Sequence, residues 1–278
     1  MKARFPKFDF SKVRAHWTPN KEFAQNYNAA SLIPAYVEPY LLKVMKQARS
    51  KINPANTRLI EEIDIFCKQE MQHCKHHIAY NKVIREQGYE GLKPMEDKIQ
   101  AEYEDWLKNK PLRFNLSYCE GFESMSASAC EMWFEEYGEY LDGSDQAVAD
   151  LWRWHLAEEF EHRTVCSDVY HELSGLNPIS RYFYRVYGYL FAIKHLGNFS
   201  KEAATYLLAK DRENMTPEEL AASIERQNAV KKRTMKAALP MMLKVLSPFY
   251  NPAKRRVPRG QEEFLASFET RRDAAVAA

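Results

Sequence analysis

The sequence has few glycines, no CxxC pair and no long apolar run. Only 9 of its 278 residues are glycine, and its long segments are rich in residue types that favour helix. No stretch reaches the roughly 18 consecutive apolar residues of a membrane-spanning helix. The N-terminal residues lack the apolar core of a secretion signal. We therefore expect a cytoplasmic, helical protein with no transmembrane segment.

An excess of charge of one sign is also missing. Lys and Arg total 40 and Asp and Glu total 38, which gives a formal net charge of +2. This balance predicts no nucleic-acid partner. The five cysteines are odd in number, which is typical of a protein from a reducing compartment. No alternating pattern with hairpin turns occurs, so no strands are predicted.

Long segments with helical periodicity lie between the proline and glycine breakers. The four longest, at about 21–49, 56–87, 113–140 and 144–173, predict a ferritin-like four-helix bundle with a crossover helix at about 94–108. Further helices are expected near 179–196, 200–210, 217–241 and 259–272. We predict a single domain over 1–278, with a bundle core at about 21–175 and a helical cover at about 176–278.

Two of the long segments contain a glutamate followed three residues later by a histidine. Residues i and i+3 share one face of a helix, so Glu70 with His73, and Glu159 with His162, can each approach one ion. A single match carries little weight, because charged pairs are common on helix surfaces. Two matches on helices that face each other are stronger evidence for a metal site. The neighbouring Glu161 is expected to be a solvated charge.

A di-metal site in a helical bundle also takes one glutamate from each of the other two helices. Glu38 lies within the apolar run SLIPAYVEPYLL, where a glutamate is costly unless it is paired or coordinated. Glu123 is followed by small residues that leave room for ions or substrate, and Glu120 is its rival one turn earlier. His155, four residues before Glu159, shares the same helix face.

Other polar residues near these positions are candidates for supporting roles. His77 lies two turns after Glu70 and, like Glu120, is a less certain ligand. Gln69 and Glu158 are predicted to form hydrogen bonds with histidines of the opposite helix, which would fix the tautomers of those histidines.

The donor types define the expected metal. Carboxylates and imidazoles suit iron or manganese and, less well, zinc. Four glutamates balance the charge of two divalent ions, and without metal they would repel one another or be protonated. We therefore expect two iron ions, or a manganese–iron pair. The predicted ligands and catalytic residues are Glu38, Glu70, His73, Glu123, His155, Glu159 and His162.

This pattern of glutamates and Glu-x-x-His pairs is similar to that of ferritin-like di-iron carboxylate proteins. The run from His155 to His162 resembles the fourth helix of p-aminobenzoate N-oxygenase, which implies an additional histidine ligand. NAASLIPAYVE, QEMQHCKHHIAYN, ESMSA and WRWHLAEEFEHRTVCSDVY resemble, over about residues 8–200, a bacterial family described as predicted metal-dependent hydrolases. That family usually has Glu-His where this chain has Glu123 and Ser124.

The resemblance to di-iron proteins implies an oxidase or oxygenase that uses O2 as co-substrate and oxidises a small, largely apolar molecule. Such an enzyme would also need an external electron donor. One alternative is a di-metal hydrolase with a bridging hydroxide as nucleophile. Another is a non-enzymatic, ferritin-like metal-binding protein. Assembly as a homodimer is a further expectation.

Overall fold

A computed structural model describes the backbone of residues 1–277 and the side chains of residues 1–269. That part of the chain is helical and contains no strand, so the predicted all-α fold is confirmed. The helices are α1 Lys21–Arg49, α2 Thr57–Arg85, α3 Leu92–Asn109, α4 Leu112–Glu135, α5 Gly138–Leu141, α6 Gln146–His162, α7 Val165–Leu173, α8 Pro178–Arg212, α9 Pro217–Val245 and α10 Gln261–Ala277. A short 3-10 turn, Pro252–Lys254, precedes α10.

None of the described helices combines the length and the apolar composition that crossing a membrane would require.

Side-chain caps set the starts of several long helices. Asn20 caps α1 and Asp145 caps α6, each by accepting a hydrogen bond from a backbone N–H of the first turn. At α9, Thr216 and Glu219 form a reciprocal capping box. Each cap satisfies a backbone donor that the helix itself leaves unpaired, which explains why these boundaries could be predicted closely.

The segment predicted as one helix at 144–173 is divided into α6 and α7. The interruption follows His162 directly. Arg163 donates from Nη1 to the carbonyl oxygen of Phe160 at 2.6 Å, and from Nε to that of Pro252 at 2.9 Å. A side chain thus satisfies a carbonyl that the next turn of helix would otherwise bind, and α6 ends there.

Two other predicted boundaries differ from the structure. The helix predicted at 113–140 stops at Glu135, and Arg233 donates to the Glu136 carbonyl at 2.6 Å. The two helices predicted at 179–196 and 200–210 are one continuous helix, α8. Leu196 and Ala203 are both buried, so packing outweighs the lower helix propensity of Gly197 between them.

Helix α8 packs along both α1 and α4. At its crossing with α4, the two backbones touch at a pair of glycines. A Cβ on Gly188 would lie 2.4 Å from the carbonyl oxygen of Ser117, and one on Gly121 would lie 2.8 Å from Cα of Tyr189. Only glycine permits this approach. The predicted division into core and cover stays a prediction, but α8 is in direct contact with the ligand-bearing helices.

We expect Gly188→Ala to destabilise the fold by about 1–3 kcal/mol, because the added methyl group must displace the α4 backbone. Gly197→Ala, on the same helix, is the matched control, since nothing lies within 4 Å of its Cβ position. It should be neutral or stabilising by about 0.5–1 kcal/mol. Thermal unfolding followed by circular dichroism measures both. Equal effects of the two substitutions would contradict the backbone contact.

Candidate metal centre

The seven predicted ligands converge between helices α1, α2, α4 and α6, and each is at most 2 % exposed. They form two groups of four, within which one ligand atom of each residue lies within 4.8 Å of the others. We call these groups site 1 and site 2. Site 1 contains Glu38, His73, His155 and Glu159, and site 2 contains Glu70, Glu123, Glu159 and His162.

Glu159 belongs to both sites. Its Oε1 lies 3.0 Å from His155 Nε2 and 3.6 Å from His73 Nδ1, while its Oε2 lies 3.5 Å from His162 Nε2. One carboxylate therefore faces both sites, as a bridging ligand would. Glu70 and His73 fall in different sites, although Glu70 Oε1 lies only 3.6 Å from His73 Nδ1.

The two glutamates from α1 and α4 close the sites. Glu38 Oε1 lies 3.3 Å from His155 Nε2 in site 1, and Glu123 Oε2 lies 3.3 Å from His162 Nε2 in site 2. Each site thus takes donors from three helices. The spacing of i, i+4 and i+7 on α6 is what lets its three ligands share one inward face.

Many of the inward ligand atoms have no hydrogen-bond partner. These atoms are both carboxylate oxygens of Glu38, Glu70 and Glu123, together with Oε2 of Glu159, Nδ1 of His73 and Nε2 of His162. Buried polar atoms nearly always have a partner, and buried charges are costly unless they are paired or bind a metal. Oxygen and imidazole donors of this kind bind divalent ions, so the donor set fits two metal ions.

A hydrogen-bond relay fixes the tautomer of His155. The Asn81 amide nitrogen donates a hydrogen bond to the backbone carbonyl of Ser31 at 3.0 Å, which orients the amide group. Asn81 Oδ1 therefore accepts a hydrogen bond from the Ser31 hydroxyl at 2.7 Å. Ser31 Oγ then accepts from His77 Nδ1–H at 2.8 Å, and His77 Nε2 accepts from His155 Nδ1–H at 2.7 Å. The Nε2 of His155 therefore faces site 1, where it lies 3.0 Å from Glu159 Oε1 and would offer its lone pair to a metal ion bound there.

The other two histidines are oriented by separate partners. His73 donates from Nε2 to Glu158 Oε2 at 3.0 Å, which turns its Nδ1 towards site 1. Gln69 donates its amide nitrogen to the Lys2 carbonyl at 3.1 Å, so Gln69 Oε1 accepts from His162 Nδ1–H at 3.0 Å. The structure thus places Gln69 and Glu158 against ligand histidines of the opposite helix, as the sequence predicts.

Two less certain candidates lie outside both sites. His77 contacts the ring of His155 and not the site atoms. Glu120 lies one turn before Glu123, and its Oε1 is 3.8 Å from Arg185 Nη1. His77 therefore supports a ligand, and Glu120 belongs to a different cluster.

Arg4 has no counterpart among the residues predicted from the sequence. Its side chain is 7 % exposed, and its Nη1 lies 2.9 Å from Glu158 Oε1 and 2.8 Å from Glu161 Oε2. Its Nε lies 2.6 Å from Glu269 Oε1. A positive charge is thus placed against the carboxylate that holds His73, and Glu161 is an ion-pair partner instead of a solvated charge. An isolated arginine has no spacing signal by which sequence could reveal this.

Burial governs the protonation of these ligands when no metal is bound. It raises the pKa of Glu38 and of Glu123 well above the usual value. Burial also opposes ionisation of Glu159, but the contacts with His162 and His155 lower the pKa of Glu159 well below its ordinary range. Burial lowers the pKa of His155 to about 4, so this ring is neutral at pH 7.

These features define a class: an all-α protein in which four carboxylates and three imidazoles form two adjoining, buried groups that can hold metal ions. Residues 2–256 match the model of a family described as predicted metal-dependent hydrolase, and the chain belongs to that family. The match continues well past residue 200, whereas the motifs quoted from the sequence support the resemblance only over about residues 8–200. No curated protein and no solved structure matches the chain. The family match does not confirm a ferritin-like di-iron relationship.

The relay predicts that His77 and His155 are both neutral, with the proton on Nδ1, in the Zn(II)-loaded protein at pH 7, where a metal ion would replace the proton that Glu159 otherwise accepts from His155 Nε2. Burial lowers the pKa of both rings below the ordinary value. Long-range 15N–1H NMR correlations report the tautomer directly. Ser31→Ala removes the acceptor for His77 Nδ1–H and should give mixed tautomers, whereas Ser126→Ala on α4 should not. A proton on Nε2 of His155 in the Zn(II)-loaded, otherwise unmodified protein would contradict the relay.

Proposed function

We propose that the protein is a metal-dependent hydrolase that uses two divalent ions. The observation that carries this proposal is the pair of buried donor groups that share Glu159 and contain unpaired ligand atoms. The family description supports hydrolysis, and for that reason we place this hypothesis before oxidation. It also favours an enzyme over a non-enzymatic metal-binding protein.

The proposal assigns the seven ligands to two ions. Glu38, His73 and His155 would hold one ion, Glu70, Glu123 and His162 the other, and Glu159 would contact both. When bound, two such ions polarise a substrate carbonyl or phosphoryl oxygen and lower the pKa of a water molecule. The chain itself fixes the histidine tautomers through hydrogen bonds and keeps bulk water away from the ligands.

Oxidation by O2 at a di-iron pair is the second candidate function. The donor set favours it, because four carboxylates and three imidazoles suit iron or manganese. An external electron donor and O2 belong to this candidate alone. The family description lends it no support, so a direct reaction test has to separate the two.

We expect the protein to bind two divalent ions per chain. Glu38→Ala should remove one ion and Glu123→Ala the other, because each belongs to only one site, while Glu159→Ala should weaken both. Loss of a supporting residue alone typically costs about 10–100-fold in metal affinity, so loss of a ligand should cost at least that.

Elemental analysis after dialysis and calorimetric titration with Mn(II) or Zn(II) measure this pattern. Glu104→Ala on α3 is the control, since that exposed glutamate belongs to a helix that supplies no ligand. Retention of two ions by all of the ligand variants would show that the site assignment is wrong.

Hydrolysis and oxidation differ in their response to O2. Loaded with Zn(II) or Mn(II), the protein should hydrolyse activated carboxylic or phosphate esters, and Glu159→Ala should slow that reaction by about 100-fold or more. Loaded anaerobically with Fe(II), it should not consume O2 in proportion to bound iron. Rapid O2 uptake, with a new absorbance band at two irons per chain and no esterase activity, would instead establish the oxidation hypothesis.

A further inference from the structure

A second cluster of buried polar atoms without partners lies between α4 and α8. The atoms are Oε2 of Glu120, Nη1 of Arg185 and the hydroxyl oxygens of Tyr189 and Tyr250. Because buried polar groups are almost always hydrogen-bonded, four unpaired ones in neighbouring side chains call for a partner that the chain does not supply, which is either water or a polar ligand. We call these four residues the α4–α8 cluster.

The members of the α4–α8 cluster are close neighbours. Arg185 Nη1 lies 3.8 Å from Glu120 Oε1, and the guanidinium carbon of Arg185 lies 5.3 Å from the centre of the Tyr250 ring. Tyr189 adjoins them at the helix crossing, because its Cα lies 2.8 Å from the Cβ position of Gly121, the residue that follows Glu120. Donor, acceptor and hydroxyl groups therefore surround one small region.

The crossing of the two helices places these side chains. Gly121 and Gly188, where the backbones touch, are the sequence neighbours of Glu120 and Tyr189. The close approach therefore brings one carboxylate and one phenol together. Both side chains are at most 1 % exposed.

Arg185 is held in place by its other nitrogen. Its Nη2 donates to the carbonyl oxygens of Val245 and Ser247 at 2.8 and 3.1 Å. The guanidinium is thus oriented by the end of α9 and the segment after it, while its Nη1 keeps its hydrogens unused. An arginine fixed in this way is suited to bind a carboxylate or another planar anion.

A cleft of about 480 Å³ opens beside the α4–α8 cluster. Ser247 and Tyr250 line it, and both contact Arg185. The cationic residues of its wall are Lys244, Lys254, Arg255 and Arg256. Arg255 is paired with Glu131 and Arg256 with Glu135, so the excess positive charge comes from the two lysines. Apolar contacts are also available, from Met241 and Phe249. Cationic groups around a cleft raise the local concentration of anions.

Arg255, which lines the cleft, also contacts α4 close to Glu123. Arg255 donates to Ser128 Oγ at 3.2 Å and to the Ser124 carbonyl at 3.4 Å. Ser124 in turn donates to Glu120 Oε1 at 3.4 Å. Arg255 therefore links the cationic wall of the cleft to the helix that carries both Glu120 and Glu123.

We propose that the α4–α8 cluster binds a small carboxylate with an apolar body, whose charged group is held by Arg185 and by the hydroxyls of Tyr189 and Tyr250. This inference rests on the proposed function only in identifying that carboxylate as the substrate of the metal centre. The resemblance to di-iron proteins implies a largely apolar substrate, and the cluster would add an anionic end to it. Glu120 is compatible with a bound anion, because burial raises its pKa to about 7 and so keeps its proton available.

Calorimetric titration of the full-length protein with octanoate and with neutral octanamide tests the proposal. Octanoate should bind at least about tenfold more tightly, because hydrogen bonds to a charged group are the stronger ones. Tyr189→Phe and Tyr250→Phe each remove only an unpaired hydroxyl, so each should keep the fold and weaken octanoate binding by about three- to tenfold. Tyr187→Phe, at an exposed position of α8, is the matched control.

Arg185→Met should weaken octanoate binding by about 10–100-fold. Because Arg185 also holds the end of α9, the Arg185→Met variant has to unfold at the same midpoint as the unmodified protein for its binding result to count. If it unfolds earlier, the two tyrosine variants decide the test. No binding of octanoate, or equal binding by all of the variants, would overturn the proposal and leave water as the occupant.

The metal-site variants separate this inference from the proposed function. Glu159→Ala removes a residue shared by both metal sites but none of the atoms of the α4–α8 cluster. It should therefore lose metal and still bind octanoate with unchanged affinity. If the metal-site assignment is wrong, octanoate binding should still be observed. If the anion-site proposal is wrong, the protein should still bind two metal ions per chain.

Discussion

The placement of one buried carboxylate between two donor groups determines much of this structure. Glu159 is fully buried and faces both sites. For metal ions to bind beside it, the three histidines around it have to present lone pairs, and not N–H groups, to the centre. The hydrogen bonds on the outer nitrogen of each ring would meet this requirement by holding the histidine in the matching tautomer. Two of the resulting chains end on backbone carbonyls, those of Ser31 and Lys2, which can only accept. The direction of every proton in those chains is thereby fixed.

The ends of the chain contribute to the same support. Lys2 and Arg4 precede the first helix, yet one accepts from Gln69 and the other holds Glu158. Arg4 also contacts Glu269 on α10. The surroundings of the ligand histidines therefore depend on segments at opposite ends of the sequence, and truncation at either end would act on the centre through these contacts.

The convergence of the seven candidate ligands could be predicted from the sequence, whereas most of the contacts around them could not. The helical spacing of five of the residues, the cost of burying Glu38 and the small side chains after Glu123 identify the seven as candidate ligands. The contacts of Gln69 and Glu158 could also be predicted, because each residue directly precedes a candidate ligand in the sequence and faces the opposing helix. Arg4, the interruption after His162 and the continuity of α8 depend on tertiary contacts that leave no local pattern. The α4–α8 cluster is of the same kind, since its unpaired atoms meet only after the backbones cross at Gly121 and Gly188.

Helix α4 is a wall common to both the metal centre and the α4–α8 cluster. Glu123 faces the ligands and Glu120, one turn earlier, faces Arg185. A rigid helix sets the separation between these two carboxylates. The apolar body of an anion held at Arg185 would therefore lie at a defined distance from the candidate metal ligands if it extended along α4. The bond placed next to Glu123 would then be selected by the length of that body. Binding energy gained at the anionic end would serve to position the reacting end, whichever of the two reactions the metal ions support.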